Sequence, residues 1–159
     1  MGYADKTDVP VEKTKHEIEQ TLRRYKADQF VSGWSTTHGH VMFKARGRLI
    51  KFTVSLPSRD ERRFTHDARR NLWAAHVAER EYEQAIRTVW RRLLLCIKAK
   101  LESVDSGIES FESAFLAHIV LPGNVTVGDW AAEKLDEVYR SGQLPSGFLA
   151  LPPGPSVSA

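Results

Sequence analysis

Residues 40–57 read HVMFKARGRLIKFTVSLP, and this stretch decides the fold. Val41, Phe43 and Ala45 alternate with His40, Met42, Lys44 and Arg46. Beyond Gly47, Ile50, Phe52, Val54 and Leu56 alternate with Leu49, Lys51, Thr53 and Ser55. A period of two sends successive side chains to opposite faces, so each run predicts a strand with one apolar face. Gly47, between Arg46 and Arg48, marks a tight hairpin, and Pro57 ends the second run because proline donates no ladder hydrogen bond. Residues 30–34 read as a strand upstream, joined through a turn at Thr37-His38-Gly39. Three consecutive strands with short turns predict an antiparallel meander packed on helices by its apolar face.

On either side of the meander the period is 3.6. Upstream, residues 1–11 read as an extended arm, and Thr14-x-x-Glu17 is a capping-box pattern that predicts the start of a helix. Ile18, Leu22 and Tyr25 give it one apolar stripe, Glu19 and Arg23 can pair at i,i+4, and it should stop near Ala27-Asp28. Downstream, Tyr82, Ile86, Val89, Leu93, Ile97, Leu101 and Val104 recur in steps of three and four, with Trp90 and Leu94 widening the stripe. That helix begins near Asp67 or Asn71, ends before Gly107, and exceeds about 30 residues, long for a globular protein. A short helix is expected over residues 110–119, with Phe111, Phe115, Leu116 and Ile119 apolar. Pro122-Gly123-Asn124 makes a turn. Thr126-x-x-Asp129 opens a last helix carrying Trp130, Leu135, Val138 and Tyr139 and closed by Gly142. The expected fold is α+β: a helix, a three-stranded antiparallel meander, one long helix and two shorter C-terminal helices, sharing one core over residues 1–142. Residues 143–159 form a proline-rich tail, expected to be flexible.

The length of 159 residues suits one domain, and 42% hydrophobic with 27% charged residues excludes wholesale disorder and fibrous repeats. No apolar run reaches the roughly 18 residues of a membrane span. The start, MGYADKTDVP, lacks the apolar core of a secretory signal, and the single cysteine, Cys96, cannot close an internal disulfide, so a cytoplasmic location is expected. The net charge of +3 hides an asymmetry. Residues 29–70 carry nine basic and three acidic side chains, whereas residues 107–159 carry two and six. A basic middle beside an acidic C-terminal third points to an anionic partner for the middle, or to mutual attraction of the two ends.

Within the basic middle, Lys44, Arg46, Arg48 and Lys51 cluster around the hairpin, with His40 and Met42 on the same face and Trp34 nearby. Arg59, Arg62, Arg63, Arg69 and Arg70 follow in the connection. Cations neutralise phosphates and flat rings stack on bases, so this set is a candidate nucleic-acid surface. The competing reading is a solvated sheet face whose cations block aggregation. Along the long helix, Arg80, Arg87, Arg91, Arg92 and Lys98 could line one side. Arg87 and Arg91 repel at i,i+4, and Glu133, Asp136 and Glu137 are the expected counter-charges. His38-Gly39-His40 lacks the cysteine or carboxylate partners of a metal site, and Asp60-Glu61 with His66-Asp67 lies on one loop rather than converging from rigid elements. Neither metal, cofactor nor catalytic residue is expected. Cys96, between Leu95 and Ile97, reads as packed. Tyr25, Trp90, Phe111 and Phe115 read as core, and Trp73 and Trp130 as core anchors or partner contacts.

One resemblance is carried by longer stretches: Tyr3-Ala4, Val9-Pro10-Val11, Lys15-x-Glu17-Ile18-Glu19, Leu22-Arg23-Arg24-Tyr25-x-Ala27-Asp28-x-Phe30, Lys98-Ala99-Lys100-Leu101-Glu102 and residues 115–122, FLAHIVLP. Together these resemble a family of small bacteriophage and prophage proteins of uncharacterised chemistry, over most of residues 3–128. The resemblance carries no catalytic residue. It implies a phage or prophage product acting in the bacterial host cytoplasm, where such proteins handle DNA or redirect a host protein. Two functions are therefore expected. The first is a non-enzymatic nucleic-acid-binding protein, a recombination or replication accessory holding phosphate through Lys44, Arg46, Arg48, Lys51, Arg62 and Arg63, with Trp34 stacking. The alternative is a protein-interaction module that inhibits or redirects a host complex such as a defence or transcription factor. The oversized helix with spare aromatics also suits a homo-oligomer seam.

Overall fold

The computed structural model describes residue 4 and residues 7–143. The alternating runs form β2 (His38–Ala45) and β3 (Arg48–Ser55), with β1 (Gln29–Trp34) on the far side of β2 in an antiparallel sheet of order β1-β2-β3. Arg46 and Gly47 both take positive φ, 49° and 73°, the backbone of a two-residue turn whose twist matches that of its strands. The first turn lies one step earlier than expected. His38 and Gly39 already belong to β2, and the Ser35 N–H donates to the His38 carbonyl at 2.8 Å.

Among the described residues there are five α-helices: α1 (Val11–Arg24), α2 (Arg62–Thr65), α3 (Ala75–Asp105), α4 (Phe111–Phe115) and α5 (Val127–Ser141). The chain is thus α+β. The inward faces of β2 and β3, led by Val41, Phe43, Ile50 and Phe52, meet Ile18 and Leu22 of α1 and Trp90, Leu94 and Ile97 of α3. Phe115 of α4 closes the core edge-on against Phe43 and Phe52, at 5.9 and 6.3 Å between centroids. The long helix is unbroken over 31 residues, about 46 Å. β2 and β3, at eight residues each, cover only about half that length. Thr7 is tied to α3, where Gln84 Nε2 donates to the Thr7 carbonyl at 2.9 Å.

Several boundaries differ from expectation. α1 starts at Val11, not at Thr14; Pro10 holds the N-cap position in extended backbone, and the Thr14 N–H already donates to the Pro10 carbonyl. Thr14 is fully buried with its hydroxyl unbonded, so it cannot cap. The helix ends at Arg24, before the left-handed Lys26. The polar 58–70 connection contains α2, seated by the buried Phe64 edge-on against Tyr82. The expected 110–119 helix is α4 followed by a 3₁₀ turn (Leu116–His118), leaving Leu116 exposed. A two-stranded hairpin, β4 (Val120–Leu121) and β5 (Val125–Thr126), spans the 122–124 turn, and Ile119 bridges to Ile50 beside β3. Thr126 caps α5 by accepting from the Asp129 N–H at 3.1 Å, and left-handed Gly142 ends it, as the sequence implies. Cys96 is exposed rather than packed, because the α3 core stripe runs through Leu93, Leu94, Ile97 and Leu101. The expected tail lies, beyond residue 143, outside the described residues. No helix among those described is long and apolar enough to cross a membrane.

Candidate interaction site

The register decides which of the cations meet. Lys51 pairs with Met42 and Lys44 with Leu49 on the outward face of the sheet, whereas Arg48 pairs with the buried Ala45 and so has inward parity. Arg46, in the turn, places its guanidinium 5.5 Å from the Phe111 ring, leaning toward α4. The hairpin therefore keeps Lys44 and Lys51 on one face and turns Arg46 and Arg48 away from it. No ion pair forms at any of them among the described residues.

Arg62 and Arg63 stand beyond the opposite end of β3, which is about 23 Å long. Arg63 is occupied by Glu61 at 2.7 Å and by the Phe64 ring at 4.6 Å. Trp34 pairs with Gly39, and Gly39 with Val54, which puts its side chain at the end of the sheet remote from the hairpin and on the helix-facing side. The seven residues expected to form one surface are thus divided between the two ends and two faces of the sheet.

Trp34, 71% exposed, belongs instead to a groove between the start of α1, the N-terminal half of α3 and the end of the sheet, with a volume of about 780 Å³. Its lining includes Ile86, Leu56, Pro57 and the edge of Trp90, which is only 1% exposed and has Lys15 Nζ 5.0 Å from its ring. The groove exists because the α3 stripe outruns the strands, so the sheet leaves Tyr82 and Ile86 partly uncovered. Its charged rim is internally neutralised. Lys15 pairs with Glu12 at 2.9 Å, Arg59 with Glu79 in a two-pronged contact, and Arg87 with Glu83 at 3.7 Å. Arg59 also lies 4.1 Å from the Tyr82 ring. The shared hydrogen bonds hold the Glu79 carboxyl below its ordinary range and raise Arg59. Leu56, Tyr82 and Ile86 were readable only as strand end and helix stripe; the signal for a groove was a seven-position helical stripe beside strands half its length.

The other constellations have local explanations. Arg91 pairs with Glu17 of α1 at 2.7 Å and Arg87 with Glu83 of the same helix, so counter-charges come from there; the Glu133 side chain lies outside the described residues, and neither Asp136 nor Glu137 pairs with them among those described. The His38 and His40 rings stack at 6.2 Å and hydrogen-bond Thr37 and Thr53. Asp67 accepts the backbone N–H groups of Arg69 and Asn71, the latter bond being the main cause of its lowered pKa. Among the described residues no three His, Cys, Asp or Glu groups converge to hold a metal ion. Trp130 and Tyr139 of α5 are exposed, Tyr139 at 86%.

No protein-family model, curated protein or solved structure matches this chain.

Proposed function

We propose that this chain is a non-enzymatic protein-interaction module whose groove receives an apolar segment of another protein. The observation that carries the reading is the combination of an exposed Trp34 with an apolar floor and a charge-neutral rim. Exposed aromatics beside a desolvated floor are the usual anchors of protein interfaces. A phosphate backbone would face Glu12, Glu79 and Glu83 there and would gain nothing from cations already paired. In the setting the phage resemblance implies, the partner is a host protein in the bacterial cytoplasm.

A second reading keeps the hairpin as a phosphate contact, favoured by the exposure of Lys44, Arg46 and Arg48 and by the lack of ion pairs at them among the described residues. One experiment separates the two. A random library of linear peptides is selected on the immobilised protein, and fluorescence anisotropy follows single- and double-stranded DNA at low and high salt. Enrichment of apolar peptides whose binding is lost in Trp34→Glu, with DNA binding weak, supports the module. Tight, salt-sensitive DNA binding lost in the Lys44, Arg46, Arg48, Lys51 quadruple alanine variant, with no peptide enriched, overturns it.

A further inference from the structure

β1 is an edge strand. Ser35 bonds to His38, and the antiparallel ladder steps by two from there, so Gly33, Val31 and Gln29 direct their N–H and C=O groups at β2. Phe30, Ser32 and Trp34 therefore direct theirs away from the sheet. Among the described residues no strand pairs with that edge, and no hydrogen bond reaches those groups. The opposite edge of the sheet is treated differently, since Ile119 bridges to Ile50 of β3.

Natural edges are commonly blunted by lysine, proline or a covering element. The β1 sequence, QFVSGW, has no charge and no proline, and its Val31 is 64% exposed. Beside this edge runs a cleft walled by α1: Glu19, Leu22 and Ala27 flank Phe30, and Lys15, His16 and Glu19 flank Ser32 and Gly33. Trp34, with Glu12 and Lys15, lines both this cleft and the groove, so the two adjoin at that side chain.

We infer that an extended, uncharged segment of a partner protein adds to β1 as a fourth strand, bonding to the outward N–H and C=O groups of Phe30, Ser32 and Trp34 and dropping one bulky apolar side chain into the groove beside Trp34. This rests on the interaction-module reading and specifies its mode: main-chain bonds supply affinity and alternate side chains supply selectivity. The segment is uncharged because the rim ion pairs leave no net charge to complement. It is a single strand rather than a second copy of this chain, because edge-to-edge pairing of two β1 strands would carry two α1 helices into one cleft.

The test uses the full chain and a library of capped peptides of about ten residues without charged side chains, long enough to span an ordinary strand. The leading peptide is then measured against Ser32→Pro and Trp34→Glu, and in two forms N-methylated at alternate positions. Ser32→Pro removes an outward donor while sparing the β1–β2 ladder. Strand addition predicts at least about a tenfold loss of affinity for Ser32→Pro and for one phase of methylation, with the other phase tolerated. The methylated peptides keep the test decisive if Ser32→Pro folds poorly. Tolerance of both methylation phases, with Trp34→Glu still abolishing binding, overturns strand addition and leaves the groove reading standing. No enrichment at all overturns both. A dimer of the free protein that Ser32→Pro dissolves would put a second copy on the edge and overturn the chosen occupant.

Discussion

Gly39 sits in extended β2, so its role is space rather than backbone freedom. A Cβ there would lie 2.9 Å from Trp90 Cζ2 and 3.2 Å from Val54 Cγ2. Gly39→Ala must push the indole or the strand aside, and a loss of about 1–3 kcal/mol is expected in urea unfolding. Unchanged stability would mean that the indole moves freely. His118 is a second residue with a definite sign. Its ring stacks on Phe52 at 4.0 Å, and burial, then nearby Lys100, lowers its pKa from 6.5, against a backbone hydrogen bond with Lys51. The folded state prefers the neutral ring, so the unfolded chain takes up the proton first as pH falls. Stability is therefore full above the ordinary histidine pKa and declines as pH drops through it toward the folded value. Urea midpoints should fall between about pH 7.5 and pH 5.5 in the wild type, and fall less in His118→Gln.

Among the elements, α5 is the one whose capping was fully legible and whose seating was not. Thr126, Asp129 and Gly142 announce its ends in the sequence, but only the structure shows Gly128 against the 3₁₀ turn, where a Cβ would come within 2.8 Å of the Ala117 carbonyl oxygen. A backbone atom cannot rotate away as a side chain can. Gly128→Ala should therefore loosen α5 alone, seen as faster amide exchange over residues 127–141 while the α3 amides keep their protection. Equal acceleration in α3 would contradict a separately seated helix. α1 shows the converse: its apolar stripe is legible, but Thr14-x-x-Glu17 does not cap it. Thr14 is consumed by burial, and Glu17 reaches across to Arg91 of α3. A capping pattern one turn into a helix is indistinguishable, in sequence, from one at its start.

For the molecule as a whole, the fold and the proposed site share residues without sharing their energetics. Trp90 is core and Trp34 is lip. Trp90→Ala should cost about 3–5 kcal/mol. Trp34→Glu should leave stability within about 0.5 kcal/mol while removing peptide binding, measured by urea denaturation and titration on the same samples. A large stability loss in Trp34→Glu would make Trp34 a structural residue and remove the anchor from the site. The basic middle of the chain is another property of the whole. Its cations are consecutive in sequence, yet β3 carries Arg48 and Arg62 to opposite ends of the sheet, so segment charge is not surface charge.

By itself the sequence determined the three strands of the meander, the inward residues of β2 and β3, the Arg46-Gly47 turn, the long helix and the capped last helix. Each depends on a local period or a local backbone preference. Only the tertiary structure decided that Trp34 faces the helices, that Cys96 faces solvent, that Arg87 and Arg91 answer to Glu83 and Glu17, and that a groove opens where α3 outruns the sheet. Periodicity gives the side of an element on which a residue lies. Which elements that side meets, and where their unequal lengths leave it uncovered, is settled by packing among residues far apart in the chain.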